Sequence, residues 1–180
     1  MTTFDLRSVA VLSGEQQRVD VEVELEPLVL GGQEYRPEPD PTPARLTVTR
    51  ASSGTVFELA FGVELRGPCF RCLGDATLPL SLSLREYHAG SGSGRAGDAR
   101  RPGSGDDELR SEYVAEDRLD LSAWARDAVV LALPDKILCR PDCAGLCPVC
   151  GKDLNAEPHE HAEEDADPRW AALQALRDEP

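Results

Sequence analysis

The sequence has 180 residues and a formal net charge of −14, from 33 acidic and 19 basic residues. This length suits one domain with at most a small appended module, and the negative charge disfavours broad, nonspecific nucleic-acid binding because it repels phosphates. No stretch approaches the roughly 20 apolar residues that span a membrane, and the first residues lack the basic region and apolar run of a secretory signal. We therefore expect a cytoplasmic protein that makes no membrane contact.

The first half of the chain has the residue pattern of antiparallel strands. Valine and leucine alternate with acidic residues over positions 19–25, which is typical of a strand with one solvated face. Proline and glycine are frequent in residues 31–43, so we predict a loop there. Leu46 and Val48 then begin a second, short strand.

Two longer alternating segments follow, over residues 57–65 and 78–84. Between them lies a short segment rich in glycine that contains Cys69 and Cys72. The pattern predicts a β-hairpin with this Cys-x-x-Cys pair at its tip.

Glycine and serine dominate residues 89–107, which predicts a flexible insertion. A helix is expected over about 121–133, with Asp120 or Ser122 as its N-cap and Pro134 ending it. Its expected apolar stripe comprises Leu121, Trp124, Ala125, Ala128, Leu131 and Ala132. A short final helix is predicted from Asp167 onward, because proline follows that capping residue and apolar residues recur beyond it.

These elements predict an α+β fold. The first domain, residues 1–138, would be an antiparallel β-rich unit with the helix after the sheet. Residues 139–180 would form a zinc-knuckle module that contains an acidic segment and ends in the short helix. The glycine-rich insertion belongs to the first domain.

The cysteines point to metal rather than disulfides. The chain has six of them at short spacing, and in a reducing compartment such pairs usually bind metal. The run Cys147-Pro-Val-Cys150-Gly151 is typical of a zinc knuckle, a tight turn that presents two thiolates to one ion. The candidate ligands are Cys69, Cys72, Cys139, Cys143, Cys147, Cys150, His159 and His161.

Eight ligands complete two tetrahedral sites, so we predict two structural zinc ions. Thiolate and imidazole favour zinc over magnesium or calcium, and iron–sulfur clusters prefer cysteine alone. Two groupings remain open, and we favour the first, which gives the knuckle nearby partners. Cys147 and Cys150 can share one ion with the two histidines, at low loop-closure cost, which leaves the other four cysteines for the second ion. Alternatively, the four cysteines from 139 to 150 form one site, and Cys69 and Cys72 pair with the histidines.

Two classes of function remain as alternatives, an enzyme that uses zinc or a dithiol and a regulator that binds nucleic acid. A zinc or dithiol enzyme needs an open metal position or a reactive thiolate, and eight ligands for two ions leave no open position. A redox role for Cys69 and Cys72 is disfavoured because the pair lies between strands rather than before a helix. A zinc-ribbon regulator of nucleic acid needs a basic face near the knuckle, whereas residues 156–167 are acidic. We therefore predict a non-enzymatic protein without a small-molecule substrate.

The residues together resemble the YceD family, the large ribosomal RNA subunit accumulation proteins. The resemblance rests on Cys69-Phe-Arg-Cys72-Leu73, the helix opened by Asp120-Leu121 and stopped at Pro134, the block from Cys139 to Asn155, and Asp167-Pro168-Arg169-Trp170. Many members carry Cys-x-Cys where this chain has His159-Glu-His161, which marks an actinobacterial-like form and makes both histidines more credible ligands.

The resemblance implies a bacterial factor that promotes accumulation of large-subunit (23S) ribosomal RNA and ribosome assembly. Its implied partners are ribosomal RNA, large-subunit assembly intermediates or a basic ribosomal protein. Arg71 and Arg169 are candidate contacts for the phosphates of such a partner. Alternatively, each of the two arginines is an ordinary surface residue or supports a metal ligand.

Overall fold

A computed structural model describes residues 1–9, 11–90 and 109–161. In chain order its elements are strand β1 (Thr3–Asp5), a 3₁₀ turn (Leu6–Ser8), β2 (Gln16–Val23), β3 (Leu28–Leu30), β4 (Gln33–Glu38), β5 (Thr42–Arg50), β6 (Gly54–Pro68), β7 (Asp75–Ala89), β8 (Val114–Ala115), β9 (Arg118–Asp120) and helix α1 (Leu121–Ala132). Strands β2 to β7 form one antiparallel sheet, and β1, β9 and β8 form a second. The predicted antiparallel β architecture with a helix after the sheet is confirmed.

Strand β6 is the centre of the main sheet. One of its edges pairs first with β5 and then with β4, and its other edge pairs with β7 along the whole strand. The side chains at alternate β6 positions face the core, namely Phe57, Leu59, Phe61, Val63 and Leu65. The β6–β7 hairpin extends to Pro68 opposite Asp75, so residues 69–74 lie at its tip as predicted.

The loop predicted over residues 31–43 is wrong, because it contains β4 and the start of β5. Proline is tolerated within β4 for a topological reason. Strand β3 pairs only with residues 33–35 of β4, and β6 pairs only with residues 36–38. Pro37 therefore occupies an edge position, where one side of the strand needs no hydrogen-bond donor.

Helix α1 begins and ends within one residue of the prediction. The Asp120 side chain accepts a hydrogen bond from the Ala123 N–H at 2.9 Å, so Asp120 is the N-cap. Ser122 instead joins the helix to the N-terminal strands: its Oγ accepts from the Thr2 N–H and donates to the Glu24 carbonyl, both at 2.8 Å.

The expected apolar stripe of α1 is only partly correct. Leu121, Trp124, Ala125 and Ala128 are buried, and Val129 joins them. Leu131 is 87% exposed and Ala132 is also exposed. Burial along α1 therefore ends at Val129, although Leu133, just after the helix, packs against the core again.

Several predictions lie outside the described residues. They are most of the insertion at 89–107, of which Ala89 belongs to β7, and the final helix from Asp167 with Arg169. The division at residue 138 stays a prediction. Within the described ranges no helix is long and apolar enough to cross a membrane.

Candidate metal centres

The first cluster joins the tip of the β6–β7 hairpin to the segment that follows α1. Cys69 and Cys72 come from the tip, and Cys139 and Cys143 come from that segment. The Cys69 and Cys143 sulfurs lie 3.8 Å apart, and those of Cys72 and Cys139 lie 3.7 Å apart. Cys69 and Cys143 are fully buried. A backbone hydrogen bond of 2.8 Å from the Phe70 N–H to the Ile137 carbonyl holds the tip against this segment.

The second cluster is local in sequence and closer to solvent. It contains Cys147, Cys150, His159 and His161, of which only Cys147 is buried. The Cys150 sulfur lies 3.1 Å from Nε2 of His159. The other ring nitrogen of His159, Nδ1, lies 2.7 Å from the Glu157 carbonyl oxygen. A carbonyl only accepts, so Nδ1 carries the proton and Nε2 is free to bind a metal.

The structure thus places the eight candidate ligands in two groups of four, the first of the two groupings considered above. Within each group, one ligand atom from every residue lies within 4.8 Å of the others. Zinc–sulfur bonds of about 2.3 Å in a tetrahedron put sulfurs about 3.8 Å apart, which the 3.7 and 3.8 Å separations match. Both clusters can therefore hold a metal ion, and their thiolate and imidazole donors fit zinc.

Backbone hydrogen bonds build the Cys69 turn. The Leu73 N–H donates to the Cys69 carbonyl at 3.0 Å, and the Cys69 N–H donates to the Gly74 carbonyl at 2.6 Å. Leu73 has a φ of 60°, in the left-handed region that glycine usually occupies.

The Cys147 turn repeats this geometry. The Gly151 N–H donates to the Cys147 carbonyl at 2.9 Å, and the Cys147 N–H donates to the Lys152 carbonyl at 2.8 Å. Gly151 has a φ of 73° at the position equivalent to Leu73. The two Cys-x-x-Cys segments therefore form the same turn, although only one has glycine at its left-handed position.

The turns also favour ionised sulfur. Burial opposes ionisation of Cys69, but the backbone N–H groups of Cys72, Cys139 and Arg71 lower the pKa of Cys69 to about 6. Hydrogen bonding from the Cys150 N–H is the main cause that lowers the pKa of Cys147 to about 6. In contrast, desolvation of its sulfur and hydrogen bonds with the other thiols raise the pKa of Cys139 to about 12. Sulfurs this close repel one another as thiolates, so full ionisation of a cluster needs a cation between them.

Asn155 connects the two clusters, and sequence reasoning gave it no role beyond membership of the block from Cys139 onward. It lies in the loop of the second cluster, yet its Nδ2 lies 3.5 Å from the Cys143 sulfur of the first. Its Oδ1 accepts hydrogen bonds from the Ala144 N–H at 2.8 Å and from Arg140 at 2.6 Å. An amide donor to a thiolate spreads its charge and orients it.

Arg71 belongs to the hairpin tip and contacts the segment that leads to Cys147. Its guanidinium donates to the Cys143 carbonyl at 2.7 Å, and its own carbonyl accepts from the Leu146 N–H at 3.1 Å. Gly145 passes so close that a Cβ there would lie 3.1 Å from the Arg71 carbonyl oxygen. Arg71 thus holds the tip against the loop, and its contact with a partner stays a prediction.

A family profile described as "Large ribosomal RNA subunit accumulation protein YceD" matches residues 57–177, which include both clusters. The chain belongs to the YceD family. An uncharacterized protein of Mycobacterium tuberculosis is 36% identical over 132 residues, covering 71% of this chain and 58% of that protein. This chain thus spans less than two thirds of that relative.

Two further relatives are an uncharacterized protein of Mycobacterium leprae and the uncharacterized protein YlbN of Bacillus subtilis. The first is 43% identical over 61 residues, covering 34% of this chain and 28% of the relative. The second is 27% identical over 124 residues, covering 67% of this chain and 64% of the relative. No solved structure matches the chain.

Proposed function

We propose that this YceD protein is a non-enzymatic factor that promotes accumulation of large-subunit ribosomal RNA and ribosome assembly. The observation that carries the proposal is family membership, because the matching profile is described by that role. Its partner would be ribosomal RNA, a large-subunit assembly intermediate or a basic ribosomal protein. It would act in the bacterial cytoplasm, where reduced thiols remain available for metal.

Two zinc ions would be held, one by four cysteines and one by two cysteines with two histidines. The donor types and the spacing of the sulfurs support zinc. Each cluster provides four protein ligands, a number that fills a tetrahedral zinc and leaves no position for a reactive water. Bound zinc would neutralise the thiolates and fix the turns.

The chain's own residues define what each ion would stabilise. Cys69 and Cys143 would fix the hairpin tip to the segment after α1, and Arg71 already ties the same parts by its hydrogen bond. His159 and Cys150 would close the Cys147 loop, with Asn155 linking it to the first cluster. We infer a scaffold role for the metals, with the partner bound elsewhere.

Depletion of the protein in its host tests the ribosomal role. We expect a deficit of large subunits and of 23S relative to 16S ribosomal RNA, measured by sucrose-gradient profiles and RNA quantification. Normal profiles in both slow and fast growth would contradict the proposal.

Elemental analysis tests the metal assignment independently. The purified protein should contain two zinc ions per chain, and the double substitution His159→Ala and His161→Ala should leave about one. Alkylation of Cys69 and Cys72 should stay slow in that variant. A single ion in the unsubstituted protein would refute two full sites.

A further inference from the structure

A groove runs between α1 and the segment that connects β2 to β3. It consists of two adjoining depressions with volumes of about 650 and 680 Å³, and Pro27 and Arg126 line both. The helix beside the groove has 12 residues, which at 1.5 Å per residue is about 18 Å. This length accommodates three turns of a helix or about five residues of extended chain.

The floor of the groove is apolar and open to solvent. Val29 on β3 is 73% exposed and Val130 on α1 is 43% exposed. The lining also includes the exposed Pro134, the half-buried Leu30 and Leu133, and Leu28, which is buried. Exposed apolar side chains scattered singly are ordinary, but a contiguous set in a concave surface marks an interaction site.

The rim of the groove is acidic. Four carboxylates line it, from Glu24, Glu26, Asp40 and Asp135. Among the described lining residues, cationic charge comes from Arg126 and from the Met1 amino group. Arg126 lies 3.4 Å from Asp127, and the Met1 amine pairs with Glu24. The potential over the groove therefore attracts a positively charged ligand and repels phosphate.

We propose that this groove docks an amphipathic, Lys/Arg-rich segment of a protein partner. Apolar anchors of that segment would cover Val29 and Val130, and its basic residues would face the acidic rim. The proposal rests on the proposed ribosomal function and specifies the partner as a basic protein rather than RNA. It places binding on the face of α1 that the sheet does not cover.

Peptide binding to the full-length protein tests the groove. The probe is an amphipathic peptide of lysine and leucine, and its glutamate–leucine counterpart controls for apolar attraction alone. We expect the lysine peptide to bind with an affinity that falls as salt is added, and the glutamate peptide not to bind. Failure of the lysine peptide to bind would overturn the proposal.

Two substitutions on the same helix separate the groove from the general negative charge. Val130→Lys puts a cation on the floor, whereas Leu131→Lys adds the same charge at a neighbouring residue that does not line the groove. Val130→Lys should weaken the lysine peptide at least about tenfold, and Leu131→Lys less than about twofold. Equal weakening would show long-range attraction only and refute the docking site. Circular dichroism and zinc content should match the parent in both variants.

Other occupants are distinguished in the same assay. Sedimentation analysis that finds a dimer disrupted by Val130→Lys would identify a second copy as the occupant and overturn the proposal. The proposal would also be overturned if single-stranded RNA, or a synthetic peptide of residues 162–180, bound more tightly than the lysine peptide and lost that binding in Val130→Lys.

Expression of the variants in depleted cells separates this inference from the proposed function. The parent chain and Leu131→Lys should restore large subunits, and Val130→Lys should not. Full restoration by Val130→Lys would refute the groove while leaving the ribosomal role intact. No deficit on depletion would refute the ribosomal role itself, whatever the peptide assay gives.

Discussion

The two Cys-x-x-Cys turns have the same backbone hydrogen bonds but connect the chain over different distances. In the first cluster, the sulfurs that lie 3.7 and 3.8 Å apart are separated by 67 and 74 positions in sequence. In the second, Cys150 and His159 are nine positions apart. The entropic cost of closing a loop grows as (3/2)RT ln n, where n is the number of residues in the loop. A crosslink that closes the longer loop therefore raises the free energy of the unfolded state by about 2 kcal/mol more than one that closes the shorter loop. A metal ion in the first cluster would therefore join distant segments of the fold, and one in the second would organise its own loop.

Burial reinforces this difference. Cys69 and Cys143 pack within the hydrophobic core together with Leu65, Val129 and Ile137. Cys150 and His161 are exposed. Loss of metal from the first cluster would leave close, partly ionised sulfurs inside the core, which is costly. The same loss from the second would leave them facing water.

The largest expected effect comes from breaking one cluster at a time. Cys143→Ser should lower the free energy of unfolding by at least about 4 kcal/mol, because it removes a metal site that joins distant segments of the core. Cys150→Ser should cost far less, since its loss opens a surface loop. Urea unfolding followed by circular dichroism measures both changes.

Zinc content serves as the control for this pair. Each variant should lose about one of two ions, so any difference in stability reflects location rather than the number of ions lost. Equal destabilisation by the two substitutions would contradict the division of roles.

A smaller effect should follow from changing the residue that connects the clusters. Asn155→Asp replaces an amide donor to the Cys143 sulfur with a negative charge, so it should weaken zinc at the first cluster about ten- to a hundredfold. Competition against a chromophoric chelator measures this affinity. Asn155→Ala removes the donor without adding charge and should give a smaller loss. If both variants lose the same affinity, charge repulsion is not the cause.

Local patterns predicted much of this molecule because they depend only on sequence periodicity. The alternation of apolar and polar residues predicted the β6–β7 hairpin. Asp120 as N-cap and Pro134 beyond the last turn predicted the two ends of α1. The short spacing of Cys147 and Cys150 indicated one turn, and eight ligands allowed two four-ligand groups. Spacing alone favoured the grouping that the structure contains, through the low cost of closing a short loop.

What could not be predicted depends on contacts between distant parts of the chain. Pro37 fits β4 because strand β3 pairs with the first half of β4 and strand β6 with the second half, which leaves one side of Pro37 without a partner strand. Leu131 belongs to the helical stripe by spacing but is exposed in the folded protein. The bond of Asn155 to Cys143 and the groove above Val130 arise from the tertiary fold, so no local signal identifies them.

The smallest expected effect concerns the left-handed residue of each turn. Leu73 and Gly151 have φ values of 60° and 73°, a conformation that costs a non-glycine residue about 1–2 kcal/mol. Leu73→Gly should relieve this cost but add flexibility to the unfolded chain, for a net stabilisation of about 0.5–1 kcal/mol. Gly151→Ala should destabilise by about 1 kcal/mol, and through backbone strain alone, because a Cβ there would meet no atom within 4 Å.

Gly32→Ala is the matched control for these substitutions. Gly32 has a φ of 81° and equally open surroundings, but it lies in the turn between β3 and β4 and belongs to neither Cys-x-x-Cys turn. It should lose similar stability while zinc affinity is unchanged, whereas Gly151→Ala should also weaken the second zinc. Denaturant unfolding and chelator competition on all three variants measure these effects. A destabilising Leu73→Gly would mean that contacts of the leucine side chain outweigh its backbone strain, so that the first turn keeps leucine for packing.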